Sequence, residues 1–146
     1  MSEIVAFAFY GAAIPKARAG RNGQQSFTPK RNAAFEANIR AIGAVAMAKA
    51  GQAPSCDACR VEMAFERCIP KSWSKKKALE MRGLPITGRP DIDNLAKAIL
   101  DALNGVTYED DAQVSDLHVT RRWGETDSVR VRILHADGPG VLAEVL

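Results

Sequence analysis

The stretch Pro90-Asp91-Ile92-Asp93-Asn94-Leu95-Ala96-Lys97-Ala98-Ile99-Leu100-Asp101-Ala102-Leu103-Asn104-Gly105 sets the reading of the whole chain. Ile92, Leu95, Ile99 and Leu103 recur at the spacing of one helical face, and Asn104-Gly105 supplies a C-terminal stop. The acidic groups lie off that stripe. Residues two apart on a regular helix point to nearly opposite sides, so Asp91 and Asp93 converge only if Asp91 stands outside the helix as an extended N-cap. Pro90 fits a chain that is not yet helical. Lys97 shares a face with Asp93. A second acidic knot, Glu109-Asp110-Asp111, follows the glycine closely enough for its loop to fold back toward the helix start.

These acids support two readings. Carboxylates that meet without a counter-charge raise one another's pKa, and a hard divalent cation such as Mg²⁺, held by carboxylate oxygens and water, removes the repulsion. Asp91, Asp93 and Asp111 are then its ligands. Alternatively, Asp91 simply caps the helix, Asp93 meets the positive end of its dipole, Lys97 pairs with Asp93 or Asp101, and Asp110-Asp111 is an ordinary turn.

Outward from this centre the charge is uneven. The chain of 146 residues is 47% hydrophobic with a net charge of +3, enough to bury one core and most simply a single domain. Residues 1–50 carry seven Lys/Arg against two Glu, and residues 71–90 carry six against one. Residues 91–127 carry three basic and nine acidic side chains. An acidic centre beside two basic stretches suits an enzyme that grips phosphates with one surface and cations with another; the competing reading is a solvated, mixed surface.

The upstream basic groups fall in two places. Lys16, Arg18 and Arg21 lie in a Gly-containing loop that ends at Lys30-Arg31, a composition that follows a phosphate backbone as readily as it makes a plain surface loop. Lys75, Lys76 and Lys77 open a short helix that Ser74 can cap and Gly83 can stop. Cations at a helix N-terminus oppose its dipole, which points to an external anion. Trp73 either contacts a base or sugar or packs beneath the turn.

The remaining segments supply the frame. Ile4–Tyr10 reads as a buried strand. Residues 32–50 read as a helix with Phe35, Ile39, Ile42 and Ala46 on one face and Gly43 permitting close packing on the sheet or on a second subunit. Residues 61–66 read as a strand. Val114–Trp123 and Val129–Ile133 read as an antiparallel pair joined by a turn from Gly124 to Ser128. Cys56-Asp57-Ala58-Cys59 has the C-x-x-C spacing of a zinc or redox site, but Cys68, His118 and His135 are scattered and the motif precedes a strand, so reduced structural cysteines are expected. Glu3 and the lack of Lys or Arg ahead of the first apolar run argue against a signal peptide, and no segment has membrane-spanning length; a soluble cytoplasmic protein is expected. The order β-α-β-α-α-β-β gives an α+β domain over residues 1–146, a small mixed β-sheet packed against helices.

The runs Arg89–Lys97, Asp101–Gly105 and Asp110-Asp111-Ala112-Gln113-Val114 together resemble the RusA family of Holliday junction resolvases, whose signature is a D-x-D-N-L-x-K helix, a D-A-L segment and a D-D-x-Q turn in that order. Ser72–Lys77 and Pro15–Arg18 extend the similarity over most of the chain. The resemblance implies a homodimeric endonuclease, dependent on Mg²⁺ or Mn²⁺, that cuts four-way DNA junctions and often belongs to phages or prophages. It implies metal ligation by Asp91, Asp93 and Asp111, charge stabilisation by Lys97, and support from Asp110 and Asn94. It implies DNA contacts at Lys16, Arg18, Arg21, Lys30, Lys75, Lys76, Lys77 and Arg89. Two other classes remain open at this stage: a DNA-junction-binding module without catalysis, and a small zinc protein built on the cysteines. A closer variant is a nuclease for flaps or other branched DNA.

Overall fold

A computed structural model describes residues 2–16, 20–22, 25–27 and 30–140, with backbone alone for 20–22 and 25–27. Arg18 lies outside the described residues, and Arg21 is described only in its backbone.

The elements run β1 (Glu3–Tyr10), β2 (Gly20–Asn22), β3 (Gln25–Phe27), α1 (Lys30–Lys49), β4 (Cys59–Cys68), α2 (Lys75–Met81), α3 (Ile92–Ala102), β5 (Val114–Gly124) and β6 (Ser128–His135). A 3₁₀ turn at Asp111–Gln113 leads into β5. Four strands form one mixed sheet in the order β1-β6-β4-β5, and β2 and β3 make a separate small hairpin within the basic loop. The architecture is α+β, as expected.

The strand pairing departs from the sequence reading at one point. β5 and β6 are not neighbours: β4 lies between them, parallel to β5 and antiparallel to β6. Burial explains the placement. Val129, Val131 and Ile133 are 0%, 2% and 0% exposed, and a strand flanked on both sides by β1 and β4 covers them in a way an edge strand does not. The link from β5 to β6 passes over the end of β4. There the Cys68 N–H donates to Asp127 Oδ1 at 2.9 Å and the Ile69 N–H to the Gly124 carbonyl at 3.0 Å.

The helices α1 and α3 cover one face of the sheet. Phe35, Ile39, Gly43 and Met47 are the buried line of α1, a turn-by-turn i, i+4 row that leaves Ile42 and Ala46 partly covered. Gly43 meets α3: a Cβ there would lie 2.8 Å from Leu103 Cδ2. On α3, Leu95, Ile99 and Leu103 are buried as their spacing predicts, whereas Ile92 is 40% exposed. Asp91, Asp93 and Asn94 beside it are exposed too, so the acidic end of α3 lies in solvent.

Candidate active site

Pro90 enters α3 through a cis peptide bond, and Asp91 takes the N-cap position in an extended conformation (φ −67°, ψ 144°). Its side chain makes no capping hydrogen bond. The carboxylate is therefore not consumed by the helix end it precedes. Asp93 occupies the first turn, and Asp91, Asp93 and Asn94 are all exposed. A cavity of about 360 Å³ opens beside them, lined by Pro15, Lys16, Arg89, Pro90, Asp91 and Asn94. Arg89 and an uncapped carboxylate thus border one space, which Lys16 also lines with its ammonium turned to Glu36 and Asp101.

The segment after β1 is strapped across this end of α3. The Lys16 N–H donates to the Asn94 carbonyl at 2.9 Å, and Asn32 Nδ2 donates to the Pro15 carbonyl at 2.6 Å. The Lys16 side chain then runs along α3, with Nζ 2.8 Å from Glu36 Oε1 and 3.2 Å from Asp101 Oδ2. The Glu36 carboxylate raises the Lys16 pKa above its ordinary value, with Asp101 adding to the effect against a partial desolvation that works the other way. Lys97 leans on the same Asp101 at 3.6 Å, one turn along the helix, and is 60% exposed. Asp101 thus joins two lysines, a role that the periodicity of α3 did not single out.

The second acidic knot lands at the other end of α3. Asn104 Oδ1 accepts from the Asp111 N–H at 3.1 Å. The Asp111 carboxyl is held above its ordinary pKa, first by Asp110 and also by Asp101. The expectation that this loop returns to the helix start is corrected by how the C-terminus of α3 is capped. Tyr108, fully buried, donates its hydroxyl to the Leu100 carbonyl at 2.7 Å, and Arg40 Nη1 reaches the carbonyls of Ala102 at 3.3 Å and Asn104 at 2.8 Å. These donors satisfy carbonyls that the helix leaves open, and they fix the chain that follows where it stands. Asp93 and Asp101 are separated by about 12 Å of helical rise. Among the described residues no group of three or more His, Cys, Asp or Glu is close enough to share a metal ion.

Within the knot, Asp110 and Gln113 form a reciprocal capping box. Asp110 Oδ1 accepts from the Ala112 N–H at 3.0 Å and Gln113 Oε1 from the Asp110 N–H at 2.8 Å. The Ala112 bond is the main cause of a lowered Asp110 pKa. Gln113 Nε2 also donates to the carbonyls of Ser55 and Asp57, at 2.7 and 2.9 Å, tying the turn to the loop of the C-x-x-C motif. Cys59 is buried, Cys56 is exposed, and the described cysteines are free thiols.

The basic helix is placed as its sequence suggests. Ser74 Oγ accepts from the Lys77 N–H at 3.1 Å, and Lys75, Lys76 and Lys77 are exposed, as are Lys30 and Arg89. Trp73 packs edge-on against Trp123 at 4.9 Å, and Lys77 Nζ lies 4.3 Å from the Trp73 ring centroid.

Comparison with known proteins gives two matches. The family model described as endodeoxyribonuclease RusA matches residues 11–134. A protein of Bacillus subtilis (strain 168), named only as the uncharacterized protein YqaN, is 44% identical over 71 residues, 46% of this chain. The match spans 50% of that relative's length.

Proposed function

This chain belongs to the endodeoxyribonuclease RusA family, and from that premise we propose that it hydrolyses phosphodiesters in four-way DNA junctions with Mg²⁺ held at the N-terminal end of α3. The observation that supports this reading is the pair Asp91 and Asp93, exposed, with Asp91 free of any capping bond, beside a basic-walled cavity. Mg²⁺ commonly takes one or two carboxylates and completes its shell with water and phosphate oxygens, so the pair fits it without a third acid nearby. Mn²⁺ would suit the same oxygens. The bound ion would polarise the phosphate and lower the pKa of a bound water.

The chain's own groups do the remaining work. Arg89 flanks the space beside Asp91 and would hold a phosphate there; Lys16 would join it only on leaving Glu36 and Asp101. Lys97, exposed and only loosely held by Asp101 at 3.6 Å, would swing toward the charge that builds on the phosphate oxygens. Asn94 and Asp110 would support the two acidic segments. Two symmetric cuts across a junction need two active sites, which is the physical reason to expect a homodimer.

The test is cleavage of a synthetic four-way junction beside matched linear duplex and flap DNA, with Mg²⁺ or EDTA. Paired nicks in the junction are expected with Mg²⁺, lost in EDTA and in Asp93→Asn while junction binding persists. Asp111→Asn is expected to lose cleavage too, because the family motif implies that acid; a variant that still cuts restricts the metal site to Asp91 and Asp93. Faster cutting of flaps would change the substrate and keep the site. Binding without cutting in Mg²⁺, or in Mn²⁺ put in its place, would leave a junction-binding module.

A further inference from the structure

We propose that Arg121 is a positioning residue for the acidic pair, a buried clamp that sets where Asp91 projects. It rests on the reading of Asp91 and Asp93 as the metal-holding pair. Arg121 lies in β5 and is 8% exposed. Its Nη1 donates to the Pro90 carbonyl at 2.8 Å and to the Gly88 carbonyl at 3.2 Å. A guanidinium stays charged at any working pH, and burying it is costly unless its donors are met. Among the described residues Arg121 makes no ion pair; its Nη1 is met by two backbone carbonyls of one loop, and the residue also borders a cavity with Glu66 and Asp127.

The loop it holds is the one that delivers Asp91. Residues 83–90 form neither helix nor strand and run beside the edge strand β5. The Gly83 N–H donates to the Trp123 carbonyl at 2.8 Å, the Trp123 N–H to the Leu84 carbonyl at 3.1 Å, and the Ile86 N–H to the Arg121 carbonyl at 3.2 Å. Beyond Ile86 the carbonyls of Gly88 and Pro90 turn to the Arg121 side chain instead. Pro90 has no N–H, so its carbonyl is its only backbone hydrogen-bonding group, and that carbonyl is held one residue before Asp91. Because Asp91 makes no capping bond of its own, the direction of its carboxylate is inherited from this clamp. Planar and forked, a guanidinium reaches two carbonyls from one nitrogen in a fixed geometry that an ammonium does not reproduce.

The experiment uses the full chain without DNA: Mn²⁺ binding by electron paramagnetic resonance, and amide hydrogen exchange, in wild type, Arg121→Gln, Arg121→Lys and Asp93→Asn. Arg121→Gln is expected to speed exchange across residues 87–92, leave β4 and β6 protected, and weaken Mn²⁺ binding about tenfold, the usual cost of losing a group that orients a ligand. Arg121→Lys is expected to recover part of both. Should the glutamine variant fail to fold, the lysine variant decides by the same two readouts. Wild-type Mn²⁺ affinity in the Arg121 variants, with loss in Asp93→Asn, overturns the clamp and leaves the metal reading standing. Mn²⁺ binding indifferent to Asp93→Asn overturns the metal reading, and the clamp's role with it.

Discussion

Asp101 shows how much a single carboxylate can organise. It receives Lys16 from the segment after β1 and Lys97 from its own helix, and its field reaches Asp111. Replacing it with Asn should leave Lys16 on Glu36 alone and Lys97 without the partner that orients it, slowing single-turnover cleavage with little change in junction affinity, measured by rapid quench beside a binding titration. A second residue-scale test lies on the open face of the sheet. The Glu62 pKa is lowered chiefly by Arg60, with Arg132 adding a bond of 2.7 Å from its Nε. A depressed carboxyl stabilises the fold above its unfolded value, near 4.5, and loses that contribution as pH falls through the folded value. Urea midpoints taken from pH 7 downward should therefore fall less steeply in Glu62→Gln than in wild type. The difference at neutral pH should be about 1 kcal/mol, since Arg132 is half-exposed and Arg60 about a quarter exposed, so solvent still screens the cluster.

At the scale of elements, α3 was the most legible part of the sequence and the turn after it the least. The apolar repeat located α3, and the Pro90-Asp91 pair located its N-cap. Spacing could not say where Asp111 would land. That depends on Tyr108 donating to Leu100 and on Arg40, more than sixty residues earlier, reaching the end of α3. Nor could local pattern separate a hairpin from two strands with β4 between them, because Val129, Val131 and Ile133 alternate in the same way in either case. Arg121 carried no signal either: a charged residue in an alternating strand reads as solvent-facing, and only the loop at 88–90 shows why it is buried. Tyr108→Phe should cost about 1–3 kcal/mol by leaving the Leu100 carbonyl without its donor, read as a shift of the denaturant midpoint. Gly43→Ala weighs a helix-propensity gain of about 1 kcal/mol against overpacking of about 1–3 kcal/mol on the fully buried Leu103, and a net loss is expected by the same measurement.

For the molecule as a whole, the charge asymmetry of the sequence becomes a surface. Lys75, Lys76 and Lys77 are exposed on one short helix, and no helix among the described residues is long and apolar enough to cross a membrane. Each lysine that contacts a DNA phosphate should contribute a unit of salt dependence. Single Lys→Ala variants there should lower the slope of log affinity against log salt by about one, with unchanged cleavage at saturating junction.

The sheet order also bears on how the chain acquires its activity. β6, the last strand among the described residues, sits between β1, the first of them, and β4, so the central pairings of the sheet close over long stretches of chain. Contacts of that separation are slow to form, and here they cannot form until residue 135 is available. A nascent chain that lacks β6 leaves β1 without its partner in the sheet and β4 with β5 alone, an incomplete floor for α1. The sheet beneath α1 is thus completed only with β6, and a chain cut short anywhere before that strand should be inert rather than unselective.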